Sequence, residues 1–125
     1  MAVQGPNLAL TLKAGESFTD KENRFVWMSA DMTGKYSTGF PTVQAVGVSN
    51  NQPAGTTEEL SVVVVGIAKV ELGGTLTAGA RVSAEAATGK AIAAITSYFP
   101  QGILLTGGSS GDLASVLLTP ATVIA

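Results

Sequence analysis

Short apolar runs of four to eight residues, each closed by Gly, Pro, Asn, Asp or Ser, recur along the whole of this 125-residue chain and restrict it to β architectures. Residues 8–12 alternate Leu with smaller residues at period two, and residues 25–28 are aromatic and β-branched. Residues 43–48 alternate Val with Gln, Ala and Gly. Residues 60–65 are rich in Val, and 67–72 follow after Gly66. Further runs occupy 81–84, 91–95, 102–105 and 113–118. Such residues suit a pleated, half-buried surface. Between them stand Gly15-Glu16, Thr33-Gly34-Lys35, Gly73-Gly74, Ala78-Gly79, Thr88-Gly89-Lys90 and residues 107–112. Their glycines supply the positive φ that tight turns need. Short strands at this spacing predict an all-β sandwich or barrel with at most one or two short helices.

One stretch admits two readings. Residues 84–94 are rich in Ala, the best helix former, but Gly89 in the middle would cost a helix about 1 kcal/mol. A hairpin turning at Thr88-Gly89, with Val82 and Ala84 opposite residues 91–93, is preferred. A short helix near 57–60 is the other place for one. An internal echo also stands out. Val46-Gly47-Val48, a Gly-containing loop and Ser61-Val62-Val63-Val64 parallel Gln101-Gly102-Ile103, a second such loop and Ser115-Val116-Leu117-Leu118. Two copies are too few for a solenoid and fit two similar hairpins within one barrel.

The length fits one domain, read as an N-terminal arm over residues 1–7 and a single β domain over 8–125. With 46% hydrophobic residues the chain is not a disordered segment. Only 13% of residues are charged, about half the usual share. Either neighbours cover much of the surface, since interface cores are depleted in charge, or Ser, Thr, Asn and Gln do the solvating. The net charge of −2 and seven scattered basic residues argue against a nucleic-acid partner, which would select a basic stripe. The longest apolar run, residues 62–72, is broken by Lys69 and Glu71 and is too short to span a bilayer, so no membrane partner is expected. Residues 1–7 carry neither a basic nor an apolar region of the kind a signal peptide has.

The chain has neither His nor Cys, which removes the usual general base, the Ser-His-Asp arrangement and the commonest metal ligands. Gly107-Gly108-Ser109-Ser110-Gly111 fits a G-x-S-x-G pattern, but a serine without a base is inert, and the run reads as a loop. Gly34-Lys35 and Gly89-Lys90 lack the Ser/Thr and the upstream Gly of a phosphate loop and read as turns. Glu58 and Glu59 are adjacent, so on a strand they point to opposite faces and share no proton. No enzymatic activity, cofactor or metal is expected.

The candidate functional residues are therefore contact residues. Trp27, Tyr36 and Phe40 are large aromatics, the last two within the polar, Gly-containing segment 31–41, which suits a loop presented to a protein partner. In the arm, Gly5 and Pro6 argue against helix, and nothing obvious ties the segment down. Val3, Gln4 and Pro6 are its candidate contacts, with Val3 as an apolar anchor and free backbone groups open to a neighbouring strand edge.

Residues 43–118 resemble the capsid decoration (cement) proteins of tailed phages. The likeness runs through Gln44-Ala45-Val46-Gly47-Val48, residues 60–66, Ile67-Ala68-Lys69-Val70, Gly79-Ala80-Arg81-Val82, the turn Thr88-Gly89-Lys90-Ala91 and Gln101-Gly102-Ile103-Leu104-Leu105. It ends in Ser110-Gly111-Asp112-Leu113-Ala114-Ser115-Val116-Leu117-Leu118, similar to the family's G-D-x-A-x-V-x-L ending. The first forty residues match less well, and Glu85 stands where the family tends to have Asp. The resemblance implies a small β-barrel-like or β-tulip domain, a homotrimer on the outer capsid surface of the virion, and the major capsid protein as partner. A carbohydrate-binding or adhesin-like β-domain on a virion or cell surface is the alternative, favoured if exposed aromatics form a platform.

Overall fold

The computed structural model describes residues 5–37 and 39–119. These form nine strands and no helix: β1 (Asn7–Ala14), β2 (Phe25–Ala30), β3 (Thr33–Lys35), β4 (Gly47–Ser49), β5 (Glu59–Glu71), β6 (Arg81–Ala84), β7 (Ala91–Ala93), β8 (Gly102–Leu104) and β9 (Leu113–Leu118). All belong to one sheet, in the order β1-β3-β2-β4-β5-β9-β8-β6-β7. The all-β class read from the sequence holds. The hairpin at Gly89 holds as well, with Val82 opposite Ala93 and Ala84 opposite Ala91.

Three local expectations are corrected. Residues 60–65 and 67–72 are not two strands, because β5 runs unbroken for 13 residues. Gly66, at φ +98°, bends the strand without turning it, and the register against β1 slips between Leu8 and Ala9. A β-carbon at Gly66 would lie 2.3 Å from the Pro6 carbonyl oxygen, so the close approach of the two backbones selects glycine there. Residues 33–35 are a strand rather than a turn, paired with both β2 and β1. Of residues 43–48 only the end is strand, in Gly47–Ser49.

The strand pairings close two rings that share β5. In the first, β1 pairs antiparallel with β5 and parallel with β3, completing β1-β3-β2-β4-β5. In the second, the C-terminal half of β5 pairs antiparallel with β9, and Leu72, one residue beyond β5, bridges in parallel to Ala91 of β7. That completes β5-β9-β8-β6-β7 with the same order and the same parallel closure.

The correspondence extends to single bonds. The Ala14 N–H donates to Glu58 O at 2.9 Å, and Leu72 N–H donates to Asp112 O at 2.9 Å. Val46 N–H to Val26 O (2.8 Å) matches Gln101 N–H to Val82 O (2.7 Å), and Asn23 N–H to Ser49 O (2.9 Å) matches Gly79 N–H to Leu104 O (2.7 Å). Asn23 and Gly79 both have positive φ, as do the matching turn residues Thr57 and Gly111. The sequence echo covers β4–β5 and β8–β9; the structure shows the two rings as a tandem repeat of one design.

Gly47 and Gly102 occupy matching points. A β-carbon on Gly47 would stand 2.1 Å from Val63 O, and one on Gly102 would stand 2.3 Å from Leu117 O. Only glycine lets these short strands lie so close to their partners.

Each ring encloses apolar side chains. The first holds Leu12, Ala14, Phe18, Val26, Leu60 and Val62. The second holds Val70, Leu72, Val82, Ala114 and Val116, with Leu76 packed against them. Each fully buried Val, Leu or Phe contributes about 1.5–3 kcal/mol relative to exposure. The second cluster also takes in the outer face of the first ring: Phe25, Trp27, Ala45, Val48 and Val63. One ring is thus capped by the flank of the other.

A polar clasp crosses this seam. The Phe25 N–H donates to Gly89 O at 2.7 Å, and the Arg24 guanidinium donates to Thr88 O (2.9 Å) and Glu71 Oε1 (3.1 Å). Lys90 Nζ lies 3.3 Å from Glu71 Oε2.

Candidate interaction surface

The candidate contact residues fall into different settings. Trp27 is buried, and its indole N–H donates to Val43 O at 3.2 Å. The expectation that it is presented to a partner is corrected: residues 39–46 fold over it, and Gly39 lies directly on the ring. Tyr36 is half-buried at the rim of the first ring's core, edge-on to Phe18 at 5.1 Å, with Lys21 Nζ 5.9 Å above its face. Phe40 is 61% exposed.

In the arm, the Pro6 ring is exposed while its carbonyl accepts the Ile67 N–H at 3.0 Å. Gly5 N–H donates to Ile67 O at 3.0 Å, and the Asn7 amide donates to the same oxygen at 3.1 Å. The expectation that nothing ties the arm down is therefore corrected for residues 5–7, which extend the sheet along β5. Val3 and Gln4 lie outside the described residues.

The exposed apolar surface is broader than the aromatics suggest. Ile103 and Leu117 face each other across β8 and β9 and lie beside Ile67, forming an apolar row on the outer side of the second ring. Leu10 and Met28 open at one end of the first ring. Leu8 and Val65 form a third pair, in register across β1 and β5. A signal for the first patch was present in the sequence. Leu113-Ala114-Ser115-Val116-Leu117-Leu118 is apolar on both faces, whereas an antiparallel strand with one wet face should alternate.

The Gly/Ser motif resolves into a turn, while Gly34-Lys35 lies in β3. The Ser109 N–H donates to Asp112 Oδ2 at 2.8 Å, so that Gly/Ser segment is an exposed capped turn. Glu58 and Glu59 are exposed, and Glu58 Oε1 accepts the Ala54 N–H at 3.3 Å. A cleft of about 200 Å3 opens at the seam between the rings, lined in part by Phe25, Gln44, Val65, Gln101 and Leu118. Among the described residues no group of three or more Asp or Glu could hold a metal ion.

The described residues present exposed apolar rows on an all-β frame. No protein-family profile matches the chain, and no curated protein sequence does. Its fold is similar to the crystal structure of the head fiber gp8.5 N base of bacteriophage phi29, with a TM-score of 0.70 over 92% of this chain and 96% of that one. The two are 12% identical, so the likeness is one of fold.

Proposed function

We propose that this chain is a structural protein of a phage virion that binds the assembled shell of major capsid protein from outside, as a homotrimer, and stabilises it. The observation that carries this reading is the near-complete fold match to a phage head fiber base. The exposed apolar pairs of both rings and the low charge content support it. A protein that binds the assembled shell in preference to the broken one stabilises it by mass action. Trimerisation adds effective concentration to individually weak contacts. On this reading the chain is not an enzyme and uses no cofactor. The carbohydrate-binding alternative gains no support, because Phe40 is the one exposed aromatic side chain among the described residues.

The test is co-sedimentation of purified protein with expanded capsids emptied of any decoration protein, followed by heating of the decorated and bare particles. Saturable binding and a raised temperature of particle disruption are expected. Protein that stays in the supernatant across concentrations would refute the proposal.

A further inference from the structure

The two rings repeat each other, yet the chain uses their surfaces unequally. In the first ring the outer row Phe25–Val48–Val63 runs in register across β2, β4 and β5, and each of its residues is at most 1% exposed. It shares one apolar cluster with Ala68, Ala84 and Ala91, at one end of the second ring. This is the internal contact between repeats.

Strand register identifies the matching positions on the other copy of each part. Arg81–Ile103–Leu117 is the row of the second ring that corresponds to Phe25–Val48–Val63. Leu10, Met28 and Gly34 are the positions of the first ring that correspond to Ala68, Ala84 and Ala91. Gly34 is buried, but among the described residues the apolar side chains of both parts stay open: Ile103 and Leu117 are 38% and 37% exposed, Leu10 and Met28 37% and 48%. The chain therefore carries one used and one unused copy of each half of the same contact, the unused halves on different rings.

We infer that the unused halves meet between copies. The Arg81–Ile103–Leu117 row of one molecule docks on the Leu10–Met28 end of the next, repeating between chains the contact that joins the rings within a chain.

Size fits a second copy as the occupant, and the charges match in part: Lys13 stands where Glu71 meets Arg24 at the seam, while an acidic side chain stands one turn away. Within the chain, the large Phe25 shares its cluster with three alanines. Between chains, the wider Leu10 and Met28 would receive a row without an aromatic, so the volumes change in step. At the seam, Arg24 donates to Thr88 O in the β6–β7 turn. The matching turn is β2–β3, where Met32 and Gly89 are equivalent positive-φ positions and the exposed Asp31 stands in the place of Thr88. The incoming row brings exposed Arg81, one residue beyond the counterpart of Arg24, to that carboxylate.

The contact is head-to-tail, so it closes into a ring or grows into a filament. It deepens the self-association invoked in the proposed function but needs no shell, so the two can fail separately.

The test is sedimentation equilibrium on the full chain, without capsids, up to about 1 mM. Wild type is expected to exceed the 12.6 kDa monomer mass, while Ile103→Asp and Met28→Asp are each expected to remain at it. An equimolar mixture of the two variants should give a 1:1 dimer and nothing larger, because one intact row then faces one intact end. The dimer also shows that both variants are folded. Arg81→Asp and Asp31→Arg should each weaken association, and the double exchange should restore it. A monomeric wild type, variants of wild-type mass, or a mixture that stays monomeric would each overturn the inference. Wild type that self-associates but does not bind shells would count against the proposed function alone.

Discussion

Gly39 lies flat on the indole of Trp27: a β-carbon at Gly39 would fall 1.8 Å from Cδ2 and 1.9 Å from Cε2 of the ring. The backbone itself is the packing surface here, and it holds residues 39–46 over the outer face of the first ring. Gly39→Ala is expected to cost about 1–3 kcal/mol through overpacking. The chain has one Trp, so the displacement is read directly: tryptophan emission should shift to the red, with a lower urea midpoint. Unchanged emission and midpoint would show that the loop moves aside freely.

Gly47 and Gly102 should respond alike, since each faces a backbone carbonyl from the matching strand. Gly47→Ala and Gly102→Ala are each expected to destabilise by about 2–3 kcal/mol, because a backbone oxygen has no rotamer to relax into. Gly74, where an added β-carbon would meet nothing within 4 Å, is the control. Gly74→Ala should change stability by less than about 0.5 kcal/mol. Chemical denaturation of the three variants checks this.

The Arg24–Glu71–Lys90 clasp should be asymmetric. Arg24 is buried, and its Nε already has no hydrogen-bond partner among the described residues. Glu71→Ala leaves the guanidinium without its carboxylate and should cost about 3 kcal/mol. Lys90, on the more exposed side of the same carboxylate, should cost about 1 kcal/mol or less as Lys90→Ala. Repeating the melts in 1 M salt should erase most of the Lys90 effect and little of the Glu71 effect.

Deleting residues 2–7 puts Met1 in the place of Asn7 and removes both backbone bonds to Ile67, made by the Gly5 N–H and the Pro6 carbonyl. Each is worth about 0.5–1.5 kcal/mol, so a loss of about 1–3 kcal/mol is expected. The local sign is sharper: the Ile67 amide, now without its acceptor, should exchange its hydrogen faster. Unaltered exchange at Ile67 would show that this pairing does not persist in solution.

Much of this fold was legible in the chain, because strand formers and turn glycines act locally. The 84–91 hairpin could be read from one glycine within an alanine-rich run. The repeat was half visible, through Val46-Gly47-Val48 and Gln101-Gly102-Ile103. Ring closure was not, because it depends on Lys13 meeting Thr33 and Leu72 meeting Ala91, pairings that a local pattern does not encode. Gly66 misled for a related reason: a bulge and a turn ask for the same positive φ, and only the partner strand decides between them. Trp27 misled because composition cannot say which aromatics a loop will cover. Ile103 and Leu117 stand out less than the aromatics do, although the two-faced apolar pattern of β9 pointed to them.

Gly66 also has a mechanical consequence. Asn7, where the first strand begins, and Leu118, where the last one ends, are both in register with this one residue. Tension applied between those two points therefore pulls across the sheet, peeling β1 and β9 from β5 one pair at a time, and never shears a whole strand at once. Attached through the outer rows of its rings the molecule would resist force with many bonds in parallel; pulled from those two points, it would open like a zip.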